Sequence, residues 1–295
     1  MLQAARHSSS SSTRWKSRQG RDFFAKEARV KGLKSRAAFK LLELNDKHKL
    51  FKPGQTVVDL GFAPGSWSQV AVNRTLPDGR VIGIDLIPAQ PPRGVSTLQG
   101  NFLSPVIQEE LRAYVRDPEM GRPTKQAPTM TGDGLTEEEL DEIERGYIDM
   151  ERHAHLEPEE PEMAEQPAEG GKHGNVSPTR LSLKERDVQN GRVVDIVLSD
   201  MMMNTSGNAF RDHAGSMDLC MAAMTFAFDT LKTGGHFLCK YYKGSEEKAF
   251  ETRMKRLFAK VHREKPDSSR AESKEAYFVG LGRKETATKE HVLGD

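Results

Sequence analysis

Cysteine is nearly missing from this chain: Cys220 and Cys239 are the only two in 295 residues, and neither lies in a CxxC or beside a histidine-rich partner. That scarcity excludes a disulfide framework and a zinc site of familiar spacing, so two reduced, buried thiols and no metal are expected. Long apolar runs are missing too. No stretch approaches the roughly 20 residues that a membrane span requires. Aromatic residues make up only 7%, and hydrophobic residues 36% against 29% charged. Such a composition supports one large core with part of the chain left outside it.

Acidic residues are absent from positions 1–21, MLQAARHSSSSSTRWKSRQGR, which are rich in serine and arginine. That composition fits a mitochondrial presequence, and equally a disordered basic arm that binds RNA. The formal net charge of +1 conceals a strong asymmetry. Residues 1–56 hold 14 Lys+Arg against 4 Asp+Glu, whereas residues 107–170 hold 6 against 19. A basic nucleic-acid face and a separate acidic segment are the expectation.

What is present is an alternation of apolar runs and helical patterns. Residues 26–49 read as one helix, with Leu33, Ala37, Leu41 and Leu44 at near-helical spacing. Strands are expected at 56–60, 80–86, 95–99, 193–200, 236–240, 259–266 and 276–283, with helices at 214–231 and 245–259 between the later ones. This rhythm predicts a doubly wound α/β fold, a seven-stranded, mostly parallel sheet with helices on both faces. Residues from about 117 to 190 break the pattern. They are rich in Pro, Glu, Gly and Met, and read as a disordered acidic insertion in which 136–153 can form a transient helix. The domain assignment is therefore an arm over 1–21 and a single domain over 22–295.

The strongest local motif is Asp59-Leu60-Gly61-Phe62-Ala63-Pro64-Gly65. Glycine allows a tight turn and close backbone approach to a ligand. The pattern is neither G-x-G-x-x-G nor a phosphate loop with its Lys-Ser/Thr. S-adenosylmethionine suits it better than a dinucleotide or ATP. The turn's N–H groups favour the carboxylate of the methionine end, and Asp59 can pair with its ammonium directly or through water. Asp85, ending the second strand, sits where an acidic residue reads ribose hydroxyls in such folds. Asn101, after the third strand, can accept from an adenine amino group.

Four further residues lie at element boundaries: Lys40 on the early helix, Asp200 ending VVDIVLSD, Lys240 ending HFLCK and Glu275 opening EAYFVGL. Residues at strand ends converge on the crevice where ligands bind in α/β sheets. Two amines and two carboxylates meeting there form a coupled proton-handling set.

Together, SSSTRW (10–15), KGLKSRAAFKLLEL (31–44), LFKPGQTVVDLGFAPGSWSQV (50–70), IGIDLIP (82–88), VSTLQGNF (95–102), DIVLSDM (195–201), LKTGGHFLCK (231–240) and KPDSSRAESKEAYFVGLGRK (265–284) resemble the FtsJ/RrmJ family of ribosomal RNA 2′-O-methyltransferases. The basic start, the acidic insertion and RDHAGSMDLC are most similar to its mitochondrial members, which modify large-subunit rRNA. The resemblance implies a Rossmann-like S-adenosylmethionine-dependent methyltransferase fold, catalytic roles for Lys40, Asp200, Lys240 and Glu275, and cofactor contacts for Gly61, Pro64, Gly65, Trp67, Asp85 and Asp200. Two departures stand out. The family commonly has Asp where Asn101 stands, which weakens the adenine contact. Its Asp-Met-Ala-Pro becomes Asp200-Met201-Met202-Met203, so the loop loses a proline and is expected to be less restrained.

The implied reaction is S-adenosylmethionine-dependent 2′-O-methylation of a uridine in mitochondrial large-subunit rRNA, by a matrix monomer acting on free rRNA or on the assembling subunit. Lys240 is the candidate base, with Lys40 supplying a neighbouring positive charge, Asp200 orienting Lys240 and Glu275 holding Lys40. An alternative keeps Lys240 protonated to steer the hydroxyl. Lys31, Lys34, Arg36, Lys265 and Arg270 are candidate phosphate contacts. Trp15, Phe23 and Phe24 are candidates for base stacking, and equally for packing. A tRNA or mRNA-cap methyltransferase is the alternative within enzymes, although no methylated-guanine pocket is evident. A ribosome-assembly factor with a non-catalytic role is the alternative outside them.

Overall fold

The computed structural model describes residues 22–122, 181–203 and 205–294. They belong to one unit assembled from both sides of residues 125–180, and the latter make a second unit outside the described residues. The elements in chain order are α1 (Phe23–Val30), α2 (Ala37–His48), β1 (Thr56–Leu60), α3 (Ser66–Thr75), β2 (Arg80–Asp85), β3 (Val95–Gln99), α4 (Pro105–Arg116), α5 (Leu183–Gln189), β4 (Val194–Ser199), α6 (Ala209–Thr230), β5 (Leu231–Tyr242), α7 (Glu247–Leu257), β6 (Phe258–Glu264), β7 (Glu275–Arg283) and α8 (Lys289–Leu293).

The expected sheet forms, in the order β3-β2-β1-β4-β5-β7-β6. The first five strands run parallel, and β7 is antiparallel to both β5 and β6. Strand order reverses direction between β1 and β4, so the loops after these two strands splay apart and open a crevice. Alternate residues of the buried strands feed two cores. Val57, Leu238, Tyr277 and Val279 pack with Ala38, Leu41 and Trp67 from α2 and α3. Val58, Ile82, Val197 and Phe237 pack with Leu111, Met224, Phe226 and Met254 from α4, α6 and α7. Among the described residues no helix is long and apolar enough to cross a membrane.

Four differences from the expected elements have physical causes. The single helix expected over 26–49 is two. Gly32 takes φ +64°, and the N–H groups of Gly32 and Leu33 cap the carbonyls of Arg29 and Ala28, a left-handed glycine stop. The helix α4, with proline in its first turn, was not foreseen. Nor was α5, which lies inside the expected insertion and opens with a capping box between Ser182 and Glu185. Its Asp187 is buried and accepts from Thr233 N at 2.8 Å and from Thr233 Oγ1 at 3.0 Å. The folded domain thus reaches Arg122 and resumes at Leu181, narrower bounds for the insertion than 117–190; the acidic helix expected at 136–153 and the arm at 1–21, with Trp15, lie outside the described residues. Finally, the Thr233-Gly234-Gly235 turn is a bulge within β5. Val194 pairs with Leu231 and Ile196 with His236, with Gly234 at φ +84°.

Candidate active site

Strand register assembles the site. Lys240 stands opposite Tyr277, and Tyr242 opposite Glu275, across β5 and β7. Directly paired residues and every second residue of a strand share one face, so these four side chains project together. That face is the one covered by α2, which carries Lys40. Lys40 Nζ lies 2.6 Å from Glu275 Oε1, each side chain 12% exposed. Lys240 Nζ lies 3.0 Å from Asp200 Oδ1 and donates to the Asp200 backbone carbonyl at 2.7 Å. Tyr277 joins the two ion pairs. Its hydroxyl is 3.4 Å from Asp200 Oδ1, and Lys40 Nζ sits 5.9 Å above its ring. The two amines and two carboxylates proposed from the sequence are therefore one cluster.

The electrostatics follow from this arrangement. Burial by itself would raise the Glu275 carboxyl, but the charge and hydrogen bond of Lys40 outweigh it, Lys240 adds to them, and the group is held below the usual range. Tyr277 is driven well above its usual value by burial and then by Asp200 and Glu275, so it stays a neutral phenol. The sequence reading missed Tyr277; its signal was position, two residues after Glu275 on the same strand face.

Beside the cluster lies a cavity of about 550 Å³ at the β1–β4 crevice, lined by Gly61, Asp85, Asn101, Asp200 and Lys240 among others. Its apolar wall includes the exposed side chains of Leu86, Ile87 and Leu103. Asp85 accepts from Ala63 N at 3.0 Å and Ile87 N at 2.8 Å, one bond on each oxygen, and each oxygen keeps a second lone pair for a hydroxyl. Asn101 lines the cavity, and its Oδ1, the atom expected to meet adenine, accepts from Leu103 N at 3.0 Å, which braces its own turn and leaves one lone pair.

Asp59, Pro64, Gly65 and Trp67 do not line this cavity. Gly65 begins α3 at φ +103°, where a Cβ would stand 2.7 Å from Pro92 Cδ. Pro64 follows a cis peptide bond. Trp67 donates from Nε1 to the Ala37 carbonyl at 2.9 Å and packs its ring 5.7 Å from that of Tyr277, so it braces the cluster from behind. Asp59 is wholly buried, which is a correction to direct pairing with a bound ammonium. Its Oδ2 accepts from Ser68 Oγ at 2.6 Å, while its Oδ1 has no partner. Burial raises its carboxyl to about 7, Ser68 opposes, and the Asp200 and Asp85 charges add to the rise.

An aliphatic wall, an acid with lone pairs for vicinal hydroxyls, and the two carboxylates of Asp85 and Asp200 lining one crevice fit a cationic nucleoside such as S-adenosylmethionine.

The methionine loop is restrained in spite of its missing proline. A Cβ on Gly61 would stand 2.7 Å from Met201 Cγ and 2.9 Å from Met201 Cα, so the turn after β1 and the loop after β4 touch. Met202 Sδ accepts from Tyr242 Oη at 3.1 Å. Side-chain contacts thus replace the φ restraint.

The five candidate phosphate contacts divide. Arg36 bonds Asp22 Oδ2 and the Ser268 carbonyl. Lys265 Nζ donates to the carbonyls of Ala271 and Ser273 at 3.1 and 2.9 Å. Arg270 pairs with Asp22 at 3.3 Å while 42% exposed. These three hold the 265–274 loop that delivers Glu275, so Arg36 and Lys265 are corrected to structural parts. Lys31 is exposed beside Glu27 at 3.1 Å, and Lys34 reaches the Gln90 carbonyl. Phe24 packs on Phe39 at 5.5 Å, whereas Phe23 is 68% exposed. Cys220 and Cys239 are buried free thiols, as expected, and among the described residues no side-chain group is arranged to hold a metal.

Comparison with known proteins adds the following. Residues 33–283 match the FtsJ-like methyltransferase family. The chain is similar to rRNA methyltransferase 2, mitochondrial, of Saccharomyces cerevisiae, with 36% identity covering 98% of this chain and 93% of that one. The protein of the same name from Schizosaccharomyces pombe is 33% identical, covering 92% and 95%. Ribosomal RNA large subunit methyltransferase E of Granulibacter bethesdensis is 34% identical, covering 96% and 89%. Among solved structures, a putative ribosomal RNA methyltransferase from Plasmodium falciparum aligns with a TM-score of 0.52 and 25% identity, over 84% of this chain and 97% of that one.

Proposed function

Because the chain belongs to the FtsJ-like methyltransferase family, its reaction is methyl transfer to ribosomal RNA with S-adenosylmethionine as cofactor, and we propose that the acceptor is the ribose 2′-hydroxyl of a uridine in mitochondrial large-subunit rRNA. The mitochondrial matrix as the site of action is supported by the two yeast relatives, which carry "mitochondrial" in their names, and by the acid-free, arginine- and serine-rich start of the chain.

The observation that carries the ribose reading is the bonding of Lys240. An amine has two N–H groups and one lone pair. Asp200 Oδ1 and the Asp200 carbonyl take two N–H groups of Lys240, and the remaining direction is left for a substrate hydroxyl. When bound, the cofactor supplies an electrophilic methyl group on a sulfonium. Lys240, after giving up to solvent the proton that pairs it with Asp200 at rest, would take the hydroxyl proton as the methyl group passes from sulfur to the ribose oxygen, then release it to solvent. Asp200 fixes the direction of Lys240 and balances positive charge in the crevice. Lys40 and Glu275 neutralise each other, and their pair positions the ribose.

The cysteines support an oxygen acceptor over a uracil carbon, whose methylation calls for a thiolate nucleophile. Burial pushes the Cys239 thiol well above its usual value, and Cys220 Sγ is bonded to the Lys240 carbonyl at 3.1 Å.

The test is transfer of labelled methyl to large-subunit mitochondrial rRNA and its precursor particles by wild type and Lys240→Ala. We expect label on one ribose 2′-oxygen and a loss of roughly 10²–10⁴-fold in the variant, the scale of a proton-transfer group. Label on a base, or a variant within a few-fold of wild type, would overturn the reading. Retained support of subunit assembly by Lys240→Ala would identify a separate non-catalytic role.

A further inference from the structure

The strands that carry the active-site cluster do not end at it. Tyr242 and Glu275 are the last pair in the β5–β7 register, and the next two residues still face each other, with Lys243 N donating to the Lys274 carbonyl at 3.1 Å. Two lysines directly opposed across an antiparallel pair repel. Both are exposed, and among the described residues neither ammonium has a hydrogen-bond or ion-pair partner. They line a cavity of about 290 Å³ with Thr205, Asp212, Tyr242 and Glu272. The Asp212 carboxylate is already engaged, accepting from Ser206 N and Oγ at 2.7 Å each and from Gly207 N at 3.2 Å. Those bonds hold Asp212 ionised but fix its oxygens away from the lysines' bonding, and Glu272 is the other acid on the wall.

This groove adjoins the chemistry. The Tyr242 hydroxyl bonded to Met202 Sδ is a partition, because Met202 lines the cofactor cavity and Tyr242 lines the groove. Lys240 lines the cofactor cavity beside Met202, whereas Lys243 and Lys274, one residue beyond the Tyr242–Glu275 pair, project from the opposite strand face, so groove and cavity meet across the end of the sheet. Side chains directly opposed in an antiparallel pair have Cβ atoms about 5 Å apart, within reach of the two non-bridging oxygens of one phosphodiester.

We propose that Lys243 and Lys274 seat the phosphodiester adjoining the target ribose, so that the acceptor strand enters through this groove and presents its 2′-hydroxyl at Lys240. The inference rests on the ribose-methyltransferase reading. Two cations with no base-edge reader between them position the strand without selecting its sequence.

The test combines a charge removal with a charge gain. Lys243→Gln/Lys274→Gln, Lys243→Arg/Lys274→Arg and Glu272→Gln are compared with wild type for binding to a large-subunit rRNA fragment, from about 50 to about 200 mM salt. Methyl transfer and cofactor binding are measured in parallel. The double Gln variant should raise KM for RNA on the order of tenfold and flatten the logarithmic salt dependence by about 0.7 for each phosphate no longer neutralised. Its cofactor affinity should not change. The double Arg variant should behave as wild type, and Glu272→Gln should tighten RNA binding. A double Gln variant with wild-type KM and salt slope, or a Glu272→Gln variant that binds RNA more weakly, would overturn the proposal. Should the double Gln variant misfold, the Glu272→Gln result decides by its sign. Failure of the underlying reading appears instead in the wild-type arm, as label on a base.

Discussion

At the scale of single residues, the buried carboxyl of Asp59 separates what a motif says from what its atoms do. The sequence placed an acid before the glycine turn and assigned it to the cofactor. The structure puts that acid inside the protein, bonded to Ser68 and with one oxygen unpaired. Its carboxyl is raised from 3.8 to about 7. A group that binds its proton more tightly in the folded state stabilises the fold below its unfolded value and loses that contribution as pH rises through its folded value. Wild type without ligand should therefore lose stability relative to Asp59→Asn between about pH 4 and 7, by at most roughly 1.4 kcal/mol per pH unit. Denaturant unfolding of both proteins across that range checks this. A difference between the two that does not vary with pH would show the carboxyl to be ionised throughout.

At the scale of elements, the α1–α2 corner and the 265–274 loop act as one support. Arg36, at the start of α2, ties Asp22 to the Ser268 carbonyl, and Glu43 Oε1 accepts from Ser268 N at 3.1 Å. These bonds set the loop from which Glu275 enters β7 and meets Lys40. Arg36→Ala should cost roughly 1–3 kcal/mol, the scale of hydrogen bonds to charged groups. It should lower kcat while leaving the salt dependence of RNA binding as in wild type. A flattened salt dependence with unchanged kcat would return Arg36 to the phosphate contacts. Burial opposes ionisation of Asp22, but the Ala25 N–H and Arg36 outweigh it and hold its carboxyl below 3.8. The support it provides is present above that value and is lost as pH falls below it. The basic character of this corner was legible in the sequence. Which cations face solvent was not, because their acceptors are backbone carbonyls and acids distant in the chain.

At the scale of the whole molecule, the acidic segment and the catalytic unit are separable claims. Residues 123–180 lie between α4 and α5, and α5 belongs to the folded domain through Asp187 and Thr233. A deletion that removes α5 would therefore strip buried hydrogen bonds and destabilise the protein for reasons unrelated to the insertion. Replacing 123–180 by a short glycine–serine linker, with α5 retained, should leave methyl transfer within a few-fold of wild type and the melting temperature little changed. Loss of transfer in a variant that still folds would give the acidic segment a part in the reaction.

Sequence alone determined the order of the seven strands along the chain, the glycine turn after β1, and the identity of the four residues that meet at the crevice. Each of these is written in local periodicity, or in a motif of contiguous residues at a strand end, and the parallel sheet brings strand ends together whatever the side chains around them. Tertiary structure alone decided that Asp59 is sealed in the core, that Arg36 holds the Ser268 loop, that Tyr277 joins the two ion pairs, and that Lys243 and Lys274 face each other without a counter-ion. Those outcomes depend on which segments, dozens to hundreds of residues away, lie across a strand or loop. A hydrogen bond or an unpaired charge is a property of such a pair, and the partners are adjacent only once the chain has folded.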